Sequence, residues 1–169
     1  KQCRRMGLKA AFYRVDEDSM YYFDTLKKKS LLIGQEALMN IKQFTLEGKD
    51  KKSLRNALNS LTKKGYTTTL SEAPLSDQLI LELRAVSDEW LQTYDKKEAV
   101  FSQGSFEIKQ IRTHNVIAIR DGEKKVVAFL NIIPDYAPEE CTYDLIRKTS
   151  DAPGGCMDAL IIALIDYGK

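Results

Sequence analysis

At 169 residues, 43% hydrophobic and 30% charged, the sequence has the length and apolar content of one core-forming domain, which excludes a disordered chain. Lys and Arg number 26 against 24 Asp and Glu, and a formal charge of +2 does not by itself argue for nucleic acid. One histidine, His114, and three scattered cysteines do not supply a zinc site, and no apolar run nears the ~20 residues of a membrane span.

In chain order, residues 1–9 read as the tail of a helix closed by Gly7, followed by a strand over Ala10–Val15 and a polar helix over Asp18–Lys29. Leu31–Ile33 and Ala37–Ile41 read as a short hairpin around Gly34. Leu54, Leu58 and Leu61 recur at helical spacing within Lys51–Lys64, and Gly65 closes that helix before a Thr-rich strand, Tyr66–Leu70. Leu75–Tyr94 is a long amphipathic helix carrying Trp90. Asn115–Arg120 and Lys125–Ile133, joined by Asp121-Gly122, predict a hairpin, and Thr142–Arg147 a further strand. The loop Asp151-Ala152-Pro153-Gly154-Gly155 then leads into a helix over Gly154–Lys169. This order predicts an α/β (α+β) domain with a mixed β-sheet flanked by helices. Both ends read as cut, so the chain is expected to be part of a longer protein. Cys3, Cys141 and Cys156 read as reduced, buried or half-buried thiols in a cytosolic setting.

Three constellations could carry chemistry. Lys49, Lys51, Lys52, Arg55, Lys63 and Lys64 stand on or beside one helix, opposite its leucine stripe. Such a face could neutralise phosphates of tRNA or of an anionic headgroup, or be only a solvated surface. In the strand Cys141–Arg147, Asp144 could hold an ammonium group and Arg147 a phosphate or carboxylate, or the two could form a structural ion pair. Strict alternation puts them on opposite faces unless the strand bulges near Ile146. The third is the loop before the last helix, whose N-terminus could receive an anion. Its run Arg-Lys-Thr-Ser-Asp-Ala-Pro-Gly-Gly-Cys lacks the Q/R-x-x-G-x-G/A spacing with which GNAT acetyltransferases bind coenzyme A. His114 has no cysteine or serine partner in the sequence that would make a nucleophilic site.

Several stretches together resemble the C-terminal domain of the phosphatidylglycerol lysyltransferase family, also called multiple peptide resistance factors. They are Phe44–Lys49 with Ser53-Leu54-Arg55, Val86–Leu91, Phe101–Gly104, Ala128–Pro134, and Tyr143–Arg147 followed by Asp151–Asp158. The resemblance implies a GNAT-like acyltransferase fold in a tandem of two lobes, with residues 1–45 ending the first and 46–169 forming a second that lacks its C-terminal part. It implies transfer of lysine or alanine from aminoacyl-tRNA, as co-substrate, to phosphatidylglycerol, with no cofactor and no metal. The partners would be the tRNA, anionic phospholipid and a membrane flippase domain elsewhere in the protein. The place would be the cytoplasm or the cytoplasmic face of a bacterial membrane. By the same resemblance Asp144 would bind the donor's ammonium and Arg147 a phosphate. Glu89, Ser102 and Asn131 would line the pocket, and Lys51, Lys52 and Arg55 would contact substrate phosphates. The family commonly has asparagine at the position of Gly155 and an aliphatic residue at Cys156. A GNAT-type N-acyltransferase using acyl-coenzyme A, and a non-catalytic lobe that binds tRNA or anionic membrane, are the alternatives.

Overall fold

A computed structural model of the chain describes residues 2–35, 37–98, 104–133 and 140–169. It divides into two compact units, one ending at Leu38 and the other beginning at Met39. The 3-10 turn Ile41–Gln43 and Phe44 lie in the larger unit.

The smaller unit holds two short helices, α1 (Gln2–Arg5) and α2 (Met20–Thr25). Gly7 takes φ +68° just beyond the first. In the turn before α2 the Ser19 hydroxyl first, and then the Ser19 N–H that donates to the Asp16 carboxylate at 2.8 Å, hold that carboxyl below its usual range. The expected strand at Ala10–Val15 and hairpin around Gly34 are not formed among the described residues. Apolar patterning marks a face, but a strand persists only where a neighbour takes its N–H and C=O groups. The helix expected to run to Lys29 stops early because Lys27 turns left-handed, φ +51°.

The larger unit contains α3 (Lys52–Lys63), β1 (Thr67–Ser71), α4 (Asp77–Thr93), α5 (Ile108–Ile111), β2 (Asn115–Arg120), β3 (Val126–Ile133), β4 (Thr142–Lys148) and α6 (Cys156–Gly168). Gly65, at φ +82°, ends α3 and lets the Tyr66 N–H return to the Leu61 carbonyl at 3.0 Å. Ser76 caps α4, its hydroxyl accepting from the Leu79 N–H at 3.2 Å. That helix starts later than expected because Ser76 is extended, at φ −69° and ψ 153°, and serves as its cap.

The four strands form one sheet in the order β1-β2-β3-β4. The α/β class is as expected, but all three described pairs are antiparallel where a mixed sheet was predicted. Neighbours in sequence are neighbours in space, so even with α4 and α5 inserted between β1 and β2 the chain returns in the opposite direction. Helices cover both faces, which is why β3 is buried along nearly its whole length and not alternating. On one face Phe129 and Val116 pack against Leu83 and Val86 of α4. On the other, Leu130 and Ile119 pack against Leu160 of α6 and Leu61 of α3. Gly155 sits at φ +92°, and a Cβ there would lie 2.8 Å from that of Ala57, so the close approach of α6 to α3 requires the absence of a side chain.

Candidate active site

A bulge in β4 creates the site. Leu130 stands opposite Ile146 and Ile132 opposite Tyr143, so Asn131 alone faces two residues, Asp144 and Leu145. The extra residue resets the alternation. Leu145 and Arg147 both turn into the layer beneath α4, and Asp144 comes within the electrostatic reach of Arg147, His114 and Glu98. The bulge is what lets the two residues singled out in the sequence share a neighbourhood.

Arg147 is 3% exposed, and its terminal nitrogens are committed within the protein. Nη1 donates to the Ser87 hydroxyl and to Glu98 Oε1 at 2.8 Å, and Nη2 to Glu98 Oε2 at 2.8 Å and to the Gly104 carbonyl at 2.7 Å. Its guanidinium also lies 5.0 Å from the centre of the Trp90 ring, over which the Lys96 ammonium sits at 4.9 Å. Burying a cation is costly unless it is paired and hydrogen-bonded, and here the forked carboxylate of Glu98 meets that demand. The Arg147 hydrogen bonds in turn hold the Glu98 carboxyl below its usual range.

Asp144 has the opposite environment. Among the described residues its Oδ1 is buried with no hydrogen-bond partner. Burial pushes its carboxyl upward, opposed first by the Gly104 N–H facing it and then by His114 and Arg147. Two carboxylates near one guanidinium are thus driven in opposite directions, one saturated and one left open. Such a divergence marks functional sites more often than structural ones.

Asn131 fixes the bulge. The Leu145 N–H, displaced from the ladder, donates to Asn131 Oδ1 at 2.6 Å, and Asn131 Nδ2 donates to His114 Nδ1 at 2.9 Å. A backbone N–H can only donate, so the amide has one possible orientation, and His114 Nδ1 must accept. The neutral ring therefore carries its proton on Nε2. Burial pulls the His114 pKa down, with Asp144 opposing, and protonation of Nδ1 would set donor against donor. Asn131 itself is 1% exposed and spends both ends of its amide inside the protein.

The remaining sequence candidates lie elsewhere or serve other contacts. Glu89 Oε1 accepts from the Ser150 N–H and hydroxyl, both at 2.8 Å, tying α4 to the turn after β4. Ser102 lies outside the described residues. Arg55 donates to the Leu46 carbonyl and, at 2.7 Å, to that of Gly48, so it clamps the loop before α3. Lys51 pairs with Asp50 at 3.4 Å and leans over Phe44, while Lys52 is exposed at the start of α3. Cys156 is buried, its thiol pushed up by that burial, but Cys3 and Cys141 are exposed where buried or half-buried thiols were expected.

Sequence reasoning did not find Ser87, Glu98 or Gly104, and set His114 aside. Ser87 left a signal, since it interrupts the apolar stripe Leu79, Ile80, Leu83, Val86 at a buried helical position. Glu98 lies in the charged run Asp95–Glu98 and looks like loop surface. Gly104 closes the Phe101–Gly104 stretch of the family resemblance, but that stretch attached no role to it.

Compared with known proteins, the chain matches a family model described as phosphatidylglycerol lysyltransferase, C-terminal, over residues 1–169. It is 33% identical over 168 residues to a phosphatidylglycerol lysyltransferase of Bacillus subtilis (strain 168), covering 99% of this chain and 19% of that protein. To the Staphylococcus xylosus protein of the same name it is 34% identical over 169 residues, covering 100% and 20%. Among solved structures, L-PGS from Bacillus licheniformis superposes with a TM-score of 0.90 at 34% identity, covering 99% of this chain and 51% of that one. A C-terminal domain (DUF2156) from Agrobacterium fabrum gives 0.87 at 30% identity, covering 99% and 52%. The chain therefore spans about a fifth of the length of these curated relatives and about half of the solved chains.

Proposed function

The chain belongs to the phosphatidylglycerol lysyltransferase C-terminal family, and from that premise we propose that it serves transfer of an amino acid from aminoacyl-tRNA to phosphatidylglycerol. The observation that carries the site assignment is the buried oxygen of Asp144 that has no hydrogen-bond partner among the described residues. A desolvated carboxylate lacking one partner is stabilised by an arriving cation, and an aminoacyl ester brings an ammonium next to its reacting carbonyl. In this reading Asp144 takes the donor's α-ammonium. In the same reading Arg147, expected to bind a phosphate, positions the pocket instead, which its already engaged terminal nitrogens support.

The chemistry asks for no cofactor. A lipid glycerol oxygen bonds to the aminoacyl carbonyl carbon, and that carbon's bond to the terminal ribose oxygen of the tRNA breaks. The hydroxyl proton ends on the released ribose oxygen. One ester replaces another, so positioning is the main requirement, and holding the ammonium orients the carbonyl toward the attacking hydroxyl. His114, neutral with Nε2–H, offers a donor beside the same pocket.

Partners and place follow from the proposal. Lys51 and Lys52 would meet phosphates of tRNA or lipid by charge alone, at the cytoplasmic face of the membrane. No described helix is long and apolar enough to cross a membrane. The two-lobe arrangement is proposed in keeping with solved relatives about twice the length of this chain. Against the acyl-coenzyme A alternative, Gly155 is used for the contact with Ala57 and the loop lacks the pyrophosphate spacing.

The test uses the full-length protein, vesicles containing phosphatidylglycerol, and tRNA charged with labelled lysine or, separately, alanine. Label in the lipid fraction, abolished by prior ribonuclease treatment, is the expected result. Acyl transfer from coenzyme A thioesters with none from tRNA would overturn the reading.

A further inference from the structure

We propose that Arg147 acts on Asp144 through Gly104, as a positioning residue whose charge is cancelled by Glu98, so that the carboxylate is held with one oxygen free. The inference rests on the reading of Asp144 as the ammonium site and names how that site is built.

Three observations converge. Gly104 joins the two side chains, its carbonyl accepting from Arg147 Nη2 at 2.7 Å and its N–H facing the Asp144 carboxylate. Its φ of +101° lies where L side chains rarely go, although no atom stands within 4 Å of the Cβ it lacks. The glycine is therefore needed for backbone direction, not for space. Glu98 meets Arg147 through both carboxylate oxygens, which removes the net positive charge that would otherwise compete with an incoming ammonium. The charged groups facing Asp144 are His114, Arg147 and Glu98, and the Gly104 N–H favours its ionised form more than any of them.

A direct-charge account and a positioning account differ in what Lys does at position 147. Lys keeps the charge but cannot hold the fork to Glu98 and the Gly104 carbonyl together. The experiment follows Asp144 by carbon-detected carboxyl titration, and lysinamide and alaninamide affinity by calorimetry, in the wild type, Gly104→Ala, Arg147→Lys and the double variant. Positioning predicts that each single change moves the Asp144 titration upward and weakens the amide about tenfold, the loss of one charge-assisted hydrogen bond. It predicts that the double variant is no worse than either single one, since both cut the same connection. An unmoved Asp144 titration in Gly104→Ala, or wild-type behaviour in Arg147→Lys, overturns the inference. The two readings fail separately. If the titrations shift as expected but the wild type binds neither amide, the ammonium site is wrong and the connection through Gly104 stands. If the amides bind and Gly104→Ala changes nothing, the reverse holds.

Discussion

Arg147 and the cations at the start of α3 carry the same charge in opposite surroundings. Arg147 is buried under α4, forked onto Glu98, bonded to Ser87 and Gly104, and stacked on Trp90. Lys52 stands in water, and Lys51 holds a long ion pair to an exposed aspartate and leans over Phe44. Arg55 lies between these extremes, half-buried and spending its guanidinium on the Leu46 and Gly48 carbonyls. A crowd of positive residues draws attention in a sequence, but water and salt screen it. One buried cation with a fixed set of acceptors builds geometry. The comparison separates cations that attract a partner from cations that place one.

The sharpest break is at Arg147 itself. Arg147→Ala removes a buried, hydrogen-bonded cation and leaves the part-exposed Glu98 without its partner, so unfolding in denaturant should show a loss of about 2 kcal/mol, with transfer abolished. Retained transfer in a folded variant would remove Arg147 from the site. Asp144→Asn should abolish transfer with the opposite effect on stability. The Asp144 carboxyl is raised in the fold, so its contribution to stability is full below the ordinary carboxylate range and lost as pH rises through the raised value. Asparagine stays neutral, so this variant should be at least as stable as the wild type at neutral pH. For the same reason the acid limb of transfer should lie above the ordinary carboxylate range, and a pH profile placing it at or below that range would contradict the open carboxylate.

Smaller effects sharpen the α3 side. Arg55→Ala should cost about 1–2 kcal/mol of stability, because two loop carbonyls lose a charged donor, without altering the salt dependence of tRNA or vesicle binding. Lys51→Ala with Lys52→Ala should do the reverse. Stability should stay within ~0.5 kcal/mol, and the salt slope of binding should fall by about one for each phosphate left without its lysine. An unchanged salt slope would take the face out of the binding surface.

Legibility in the sequence followed the same divide. The elements of the larger unit were readable because each had a local signal: the leucine spacing of α3, Gly65, the stripe of α4, the alternation around Asp121. The strands expected in the smaller unit failed because pairing is not a local property. Asp144 and Arg147 could be named from chemistry and resemblance, yet their meeting depends on a bulge that no residue type announces. Asn131 was expected in the pocket lining, and its amide oxygen answers the Leu145 N–H at the bulge. Arg147 reaches Glu98 and Gly104 across 49 and 43 residues of sequence, and that long-range contact brings them into the site.

The most direct test of the account is a calorimetric titration of alaninamide and lysinamide into the wild type and Asp144→Asn at neutral pH. The account predicts that the wild type binds at least one of the amides and that Asp144→Asn, still folded, binds it more than about tenfold less well. Equal affinity in the two proteins would show that the open oxygen of Asp144 does not receive the ammonium.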